Sequence, residues 1–278
     1  MLTNFDWPEP RPPLWRLVSC VDWVAGVSQL FGSRFDAVLL YHSIGGVTGT
    51  DYRWDLPVDH FRTQIKKLNK RFEIVDLATL FDRPEPEKKR VAVTFDDAFR
   101  NVYENAIPVL QELDLPATVF ISPSYVGDKH TDRLRKRHNM ESSASEIVMT
   151  TSQIQDLAAN DRFTLGNHTL THPNLVTLND EDALREEIEM GKKTIENQYE
   201  VTVNQFSYPY GALDDAASSI VADTHNLAVT SRPDLIGVDR DRYCIPRLDA
   251  CQPAPVLAFE TTDISAHLRR LIRRVAFS

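Results

Sequence analysis

Short apolar runs alternate with longer amphipathic segments along the chain from residue 36 onward. The short runs are rich in β-branched side chains, which is typical of buried strands, and the longer segments carry their apolar residues at helical spacing. This alternation is typical of βα units built around a parallel sheet. The predicted strands cover residues 37–41, 91–95, 117–122, 163–166, 203–207, 227–230 and 243–248. Since seven parallel strands are enough to close a barrel, the pattern predicts an α/β fold with barrel topology.

Four amphipathic segments between these strands are predicted to be helices. They cover residues 61–70, 105–113, 152–159 and 180–199, with Asn105 as the N-cap of the second. In the last segment Leu184, Ile188 and Ile195 share one face, and charged residues occupy most of the other. We therefore expect helices to cover the outside of the sheet.

Both ends of the chain are predicted to carry an additional helix. Residues 1–35 contain an amphipathic helix expected to pack on the main domain, which we place at residues 36–259. Residues 260–278 form a second predicted helix with an apolar face and four arginines, Arg269, Arg270, Arg273 and Arg274. This helix either makes weak contact with an anionic membrane surface or docks on its own acidic domain.

Composition limits the cellular setting and the partners. The 278 residues include 31 basic and 40 acidic side chains, a net charge of −9, so nucleic acid is not an expected partner. The first residues lack the basic start and apolar core of a signal peptide, and no uninterrupted apolar stretch could span a membrane. Three cysteines form no paired framework. These features predict a cytoplasmic protein, at most peripheral at the membrane.

Paired carboxylates, Asp96 and Asp97, directly follow the predicted strand 91–95. Two like charges in contact raise each other's pKa unless a cation, a metal or hydrogen-bond donors compensate. The simpler interpretation is that one aspartate caps the next segment and the other is solvated. However, the carboxyl ends of parallel strands are where ligand sites form in α/β folds, so a positive partner is expected nearby.

Two histidines supply candidate partners for this pair. His168 and His172 follow another predicted strand, and their spacing of four would place both imidazoles on one side of a helical turn. Two imidazoles and one carboxylate leave metal positions open for water and substrate, which is typical of a catalytic metal, and the second carboxylate is then available as a base. The same ligand types also occur in ferrous oxygenases, but the alternation of strands and helices does not favour that fold.

Three motifs together resemble the polysaccharide deacetylases with the NodB homology domain, carbohydrate esterase family 4. They are "TFDDA" at 94–98, "NHTLTHP" at 167–173 and "FSYPYG" at 206–211. The resemblance implies a distorted (β/α) barrel in which Asp97, His168 and His172 bind one divalent metal ion. That ion is most often zinc, with cobalt, nickel or manganese as alternatives.

The resemblance also implies the reaction and further roles. Asp96 acts as general base, the backbone N–H of Tyr210 helps to hold the oxyanion, and Gly211 permits a tight turn. The expected activity is hydrolysis of the acetamide of an N-acetylated sugar, in a cell-surface glycan or a lipid-linked precursor, to acetate and a free amine. The alternatives are a deformylase of a lipid-linked amino sugar and a carbohydrate-binding barrel without catalysis.

The sequence departs from the commonest family pattern at two positions. Ser207 stands where many members carry the arginine that orients the base, and no "LH" pair follows on a late strand to supply the general acid. We hypothesise that His42 and Arg247, each at the end of a predicted strand, cover part of these roles. His42 could instead only shape the rim, and Arg247 could form a structural ion pair with Asp96 or Asp249.

Overall fold

A computed structural model describes residues 36–46, 54–82, 89–137, 147–237 and 241–252, and, closer to the C-terminus, residues 257–258, 260–262, 265, 267 and 269. The helix predicted within residues 1–35 lies outside the described residues. Within the described ranges, no helix combines the length and the apolar character needed to cross a bilayer.

One curved parallel sheet forms the centre of the molecule. In the described part of the chain it has eight strands: β1 (Ala37–Tyr41), β4 (Glu73–Val75), β5 (Arg90–Phe95), β6 (Ala117–Ile121), β7 (Phe163–Asn167), β8 (Gln205–Ser207), β9 (Leu227–Val229) and β10 (Leu248–Asp249). The order is β10-β1-β5-β6-β7-β8-β9, and β4 pairs with the first residues of β5. Strands β2 (Ser43–Ile44) and β3 (Asp55–Leu56) form a separate parallel pair.

The two edges of this sheet are joined by the last strand segment. Leu248 pairs with Leu39 of β1, and Ile245, three residues earlier, forms a parallel bridge with Val229 of β9. Strands β1, β5 and β6 are buried along their whole length, because helices cover one face of the sheet and side chains fill the other. The predicted α/β fold, a distorted barrel of about seven parallel strands, is confirmed.

Helices lie between the strands, as the pattern predicted, with differences at their boundaries. They are α1 (Val58–Arg71), α2 (Thr79–Asp82), α3 (Ile107–Glu112), α4 (Asp132–Arg137), α5 (Thr151–Ala158), α6 (Glu181–Arg185), α7 (Gly191–Tyr199) and α8 (Asp215–Thr224). A π-helical turn at Val102–Ala106 precedes α3, and another at Glu186–Met190 joins α6 to α7.

Two local features differ from the sequence prediction. Asn105 does not cap a helix, because it lies inside the first π turn and its side-chain amide donates to the Ile44 carbonyl at 2.8 Å. The segment Glu73–Val75 was not predicted, since this strand has only two apolar residues and exposes its glutamate. In both cases a contact with a distant segment outweighs a weak local signal.

Most of the predicted C-terminal helix lies outside the described residues, including three of its four arginines. The remaining arginine, Arg269, is only 5% exposed. Its guanidinium donates to the Ser265 hydroxyl at 2.5 Å and to the Glu260 carbonyl at 3.0 Å. This arginine therefore points into the protein and does not offer its charge to a membrane surface.

Candidate active site

The carboxyl ends of the parallel strands meet at one rim of the barrel, and most of the predicted site residues follow these ends. His42 comes after β1, Asp96 after β5 and His168 after β7. Arg247 was expected at the end of a strand, but it precedes β10, because the last strand begins only at Leu248. All of these side chains are buried. Parallel strands thus bring together groups that are far apart in sequence.

A strained turn after β5 separates the two aspartates. The backbone N–H of Asp96 donates to the Tyr41 carbonyl at 3.0 Å, which continues the pairing of β5 with β1. Asp97 and Ala98 then have φ angles of 66° and 49°, a left-handed conformation that residues other than glycine rarely adopt. Such strain is found mostly at functional sites. Here it turns the Asp97 carboxylate toward the histidines, and the Asp96 carboxylate faces Arg247.

Asp97, His168 and His172 converge on one point. Their ligand atoms all lie within 4.8 Å of one another. Asp97 Oδ1 is 3.2 Å from His172 Nε2 and 3.8 Å from His168 Nε2. Tetrahedral zinc with bonds of about 2.1 Å needs its ligand atoms roughly 3.4 Å apart, so this donor set fits a zinc-sized ion.

His168 is oriented and kept neutral for metal binding. Its Nδ1 lies 2.7 Å from the Ser207 carbonyl, which can only accept, so Nδ1 carries the proton and Nε2 keeps its lone pair. Burial lowers the pKa of His168 to about 4, against the opposing effect of the nearby aspartates. The imidazole is therefore uncharged at neutral pH, which is the form that binds a metal.

The histidines are held by a loop, so the predicted helical turn is wrong. Thr169 and His172 have φ angles of 65° and 57°, which no helix contains. The Thr169 hydroxyl accepts a hydrogen bond from the His172 backbone N–H at 3.0 Å and thereby closes the loop. The spacing of four still brings the imidazoles together, with ring centroids 4.6 Å apart.

Arg247 is the cation beside Asp96. Its Nη1 and Nη2 donate to the two carboxylate oxygens at 2.8 and 2.7 Å, a bidentate pair in which both side chains are buried. Burial by itself would raise the pKa of Asp96, but the charge and hydrogen bonds of Arg247 hold it well below its usual range. Asp249, the other partner considered, accepts from the backbone N–H of Cys251.

Ser207, where the resemblance leads us to expect an arginine, joins this ion pair. Its hydroxyl donates to Asp96 Oδ2 at 3.2 Å and accepts from Arg247 Nη2 at 3.0 Å. Arg247 is also held by the carbonyl of Thr230, which accepts from Nε at 2.8 Å. An arginine from the segment before β10 thus reaches Asp96 in this chain, and the small serine leaves room for it.

His42 lies on the same rim, only 2% exposed. Its ring is tilted against Trp54 with centroids 4.9 Å apart. It is near enough to Asp96 that its charge, when the imidazole is protonated, lowers the pKa of that carboxyl, although by less than Arg247 does. The structure therefore places His42 on the same rim as Asp96 and Arg247, and its role in catalysis stays a hypothesis.

Tyr210 and Gly211 form a tight turn at the edge of the site. Tyr210 has a φ of 62° and its ring, 46% exposed, stands edge-on to His172 with centroids 5.1 Å apart. Gly211 has a φ of 65°, and a Cβ there would lie 2.5 Å from the Ser231 backbone nitrogen. The motif therefore requires glycine at this position for both conformation and space.

Sequence reasoning missed three residues that support the site. Thr169 lies between the two histidines, so its position in the motif could have identified it. The Tyr125 hydroxyl donates to the Thr171 carbonyl at 3.2 Å, and Trp54 packs on His42. No local signal points to these two aromatic residues, because their contacts depend on how distant segments meet.

Two sequence relatives of the chain carry the names of deacetylases. A protein of Bacillus subtilis named as a polysaccharide deacetylase, YxkH, is 25% identical over 218 residues, 76% of this chain and 70% of that protein. The poly-beta-1,6-N-acetyl-D-glucosamine N-deacetylase of Staphylococcus epidermidis is 25% identical over 164 residues, 58% of this chain and 54% of that protein. The chain thus matches only about half of that second relative.

A solved structure shares the fold. The structure of IcaB from Ammonifex degensii superimposes with a TM-score of 0.69 at 22% identity, covering 83% of this chain and 98% of that chain. The family model described as polysaccharide deacetylase matches residues 83–229, which contain both aspartates, both histidines and the turn at Tyr210. The chain belongs to the polysaccharide deacetylase family.

Proposed function

We propose that this protein is a metal-dependent deacetylase that hydrolyses the acetamide of an N-acetylated sugar in a cell-surface glycan, releasing acetate and a free amine. The observation that carries the proposal is the convergence of Asp97, His168 and His172 next to an aspartate that Arg247 keeps ionised. We place the catalytic domain at residues 36–259.

A divalent ion, zinc first of all, held by these three side chains would act as a Lewis acid that activates water and polarises the amide carbonyl. Asp96 accepts the proton of the attacking water, and Arg247 fixes the orientation of this base. The Tyr210 backbone N–H donates to the oxygen on which negative charge develops. His42 gives a proton to the departing nitrogen as the C–N bond breaks.

The names of relatives support the choice of substrate. A relative at 25% identity is a poly-beta-1,6-N-acetyl-D-glucosamine N-deacetylase, so oligomers of β-1,6-linked N-acetylglucosamine are the first substrates to test. The exposed Tyr210 ring beside His172 offers an apolar face of the kind on which sugar rings pack. A lipid-linked sugar and an N-formyl sugar belong in the same assay, because the proposed metal ligands and Asp96 act on the amide group that all three substrates share.

The test combines metal binding with acetate release. Purified protein is stripped of metal and reconstituted with zinc, and bound zinc is counted in the wild type, His168→Ala and His172→Ala. Acetate is then measured with the oligomers, with Asp96→Asn as a control that keeps the metal ligands. We expect one ion per chain, lost in both histidine variants, and acetate release only with Asp96 intact. A wild type without specifically bound ion, or activity equal in Asp96→Asn, would contradict the proposal.

A further inference from the structure

Two π-helical turns pack directly against loops that carry site residues. The turn Val102–Ala106 is next to the segment after His42, where Asn105 donates to the Ile44 carbonyl. The turn Glu186–Met190 packs against the loop that holds the two histidines. π turns are rare and are found frequently at functional sites. The position of the second turn beside the histidine loop therefore points to a role in the site.

Glu187, in this second turn, binds the histidine loop through three hydrogen bonds. Its carboxylate accepts from the Thr171 backbone N–H at 2.8 Å and from the Thr171 hydroxyl at 2.6 Å. Its own carbonyl accepts from the Leu170 N–H at 2.9 Å. The two bonds to the carboxylate are charge-assisted, which makes them stronger than bonds between neutral groups.

The turn itself is held firmly in place. The buried Asn167 side-chain amide donates to the Ile188 carbonyl at 2.8 Å. Gly191, directly after the turn, packs so closely that a Cβ would lie 2.6 Å from Asn167 Oδ1 and 2.7 Å from the Thr169 carbonyl carbon. Glu187 is therefore carried by a rigid support that packs against the histidine loop.

We propose that Glu187 is a positioning residue for the metal site, which sets the backbone of Thr171 and thereby aims the imidazole of His172. His172 has an unfavourable φ of 57°, and a conformation of this kind persists only where its surroundings impose it. Glu187 provides this constraint at the residue directly before the histidine. The inference rests on the proposed function to the extent that it assumes a metal held by His172.

Three variants test the role of Glu187 through metal binding. Glu187→Ala removes both side-chain bonds. Glu187→Gln removes the charge but keeps the bonds, because its amide oxygen accepts from the Thr171 N–H and the hydroxyl can rotate to accept from its NH₂ group. Glu186→Ala is the matched control, since it removes the same charge from an exposed neighbour in the same turn.

Zinc affinity is measured by competition with a chelator, and the visible absorption of the cobalt-substituted protein reports the ligand geometry. We expect Glu187→Ala to bind zinc about tenfold more weakly with an altered cobalt spectrum, as for other residues that orient metal ligands. Glu187→Gln should retain most of the affinity, and Glu186→Ala should match the wild type. Circular dichroism at the assay temperature shows that each variant is folded.

The outcomes separate this inference from the proposed function. If the wild type binds zinc and Glu187→Ala binds it equally well with an unchanged cobalt spectrum, the positioning role is wrong. If Glu187→Gln loses as much affinity as Glu187→Ala, the effect is one of charge and the positioning role is also wrong. If the wild type itself binds no ion, the proposed function fails first.

Discussion

At the scale of single residues, Arg247 sets the charge balance of the site. A buried carboxylate is stable as an anion only with a nearby cation and hydrogen-bond donors, and Arg247 supplies both to Asp96. Ser207 and Thr230 hold the guanidinium against the carboxylate. The ion pair therefore serves stability as well as the proposed orientation of the base.

We predict that Arg247→Gln lowers the free energy of unfolding by about 3–5 kcal/mol, because it leaves the Asp96 charge buried without its partner. Adding Asp96→Asn should recover part of this loss, since the uncompensated charge is then gone. Urea unfolding of the two single variants and the double variant measures the coupling. Losses in the two single variants that simply add in the double variant would contradict the ion pair. Arg185→Gln, which breaks ion pairs at a partly exposed arginine, is the control.

Gly211 offers a second test at this scale. Gly211→Ala should reduce both stability and deacetylation, because a Cβ would clash with Ser231 in addition to the cost of a positive φ. Gly127→Ala is a matched control, since Gly127 has a φ of 69° and nothing within 4 Å of the added carbon. Thermal unfolding and initial rates of both variants separate the clash from the backbone cost. Equal effects of the two substitutions would show that the contact with Ser231 is unimportant.

At the scale of elements, loops and irregular helical turns shape the site more than regular helices do. The histidine loop is held by a hydrogen bond from Tyr125 and by the turn Glu186–Met190. The π turn between α6 and α7 thus presents the carboxylate and the carbonyl of Glu187 to the histidine loop. A continuous α-helix would present a different set of groups there. Amphipathic periodicity is preserved across the interruption, which is why the pattern predicted one helix.

We predict that Gly191→Ala destabilises the protein although alanine has the better helix propensity. The added Cβ would meet Asn167 and the Thr169 backbone at distances below 3 Å, so the histidine loop must shift. The gain in propensity is only about 1 kcal/mol, which the clash should exceed. Urea unfolding measures the stability, and zinc competition measures the displacement of the loop.

Ser219→Ala is the control for this prediction, because it raises helix propensity at an exposed position of α8. It should leave stability unchanged or slightly higher. If Gly191→Ala behaves in the same way, the close packing of α7 against the histidine loop does not constrain that loop.

At the scale of the whole molecule, a buried histidine links stability to pH. Burial lowers the pKa of His225 to about 3, with a smaller effect from Lys192. The ordinary value is about 6.5, so between these two values the unfolded chain binds more protons than the folded chain. Above pH 6.5 His225 therefore does not reduce the free energy of unfolding. Below that pH the free energy of unfolding falls as the pH is lowered toward 3.

We predict that the metal-free protein loses roughly 2 kcal/mol through His225 between pH 6.5 and 5, and that His225→Gln lessens this slope. The Nε2 atom of His225 lies 3.2 Å from the side-chain nitrogen of Asn167. A glutamine oxygen at this position can still accept a hydrogen bond from that nitrogen. Urea unfolding across this pH range measures the effect, and His60→Gln, at an exposed histidine, is the control. A slope unchanged in His225→Gln would contradict the linkage.

The sequence alone determined the βα alternation, the barrel topology, the family resemblance and the candidate metal ligands. Each of these depends on local periodicity or on residues a few positions apart, such as Asp96 with Asp97 or His168 with His172. Local patterns of this kind persist in the folded chain, because strands and short loops are set mainly by their own residues.

Only the tertiary structure decided the partners that complete the site. Arg247 binds Asp96, which is 151 positions away in sequence. Glu187 binds Thr171 from a π turn that the helical periodicity of the sequence does not reveal. The same holds for the left-handed loop at His172, where a helical turn was expected. These contacts depend on strand register and on how separate segments pack, which no local pattern encodes.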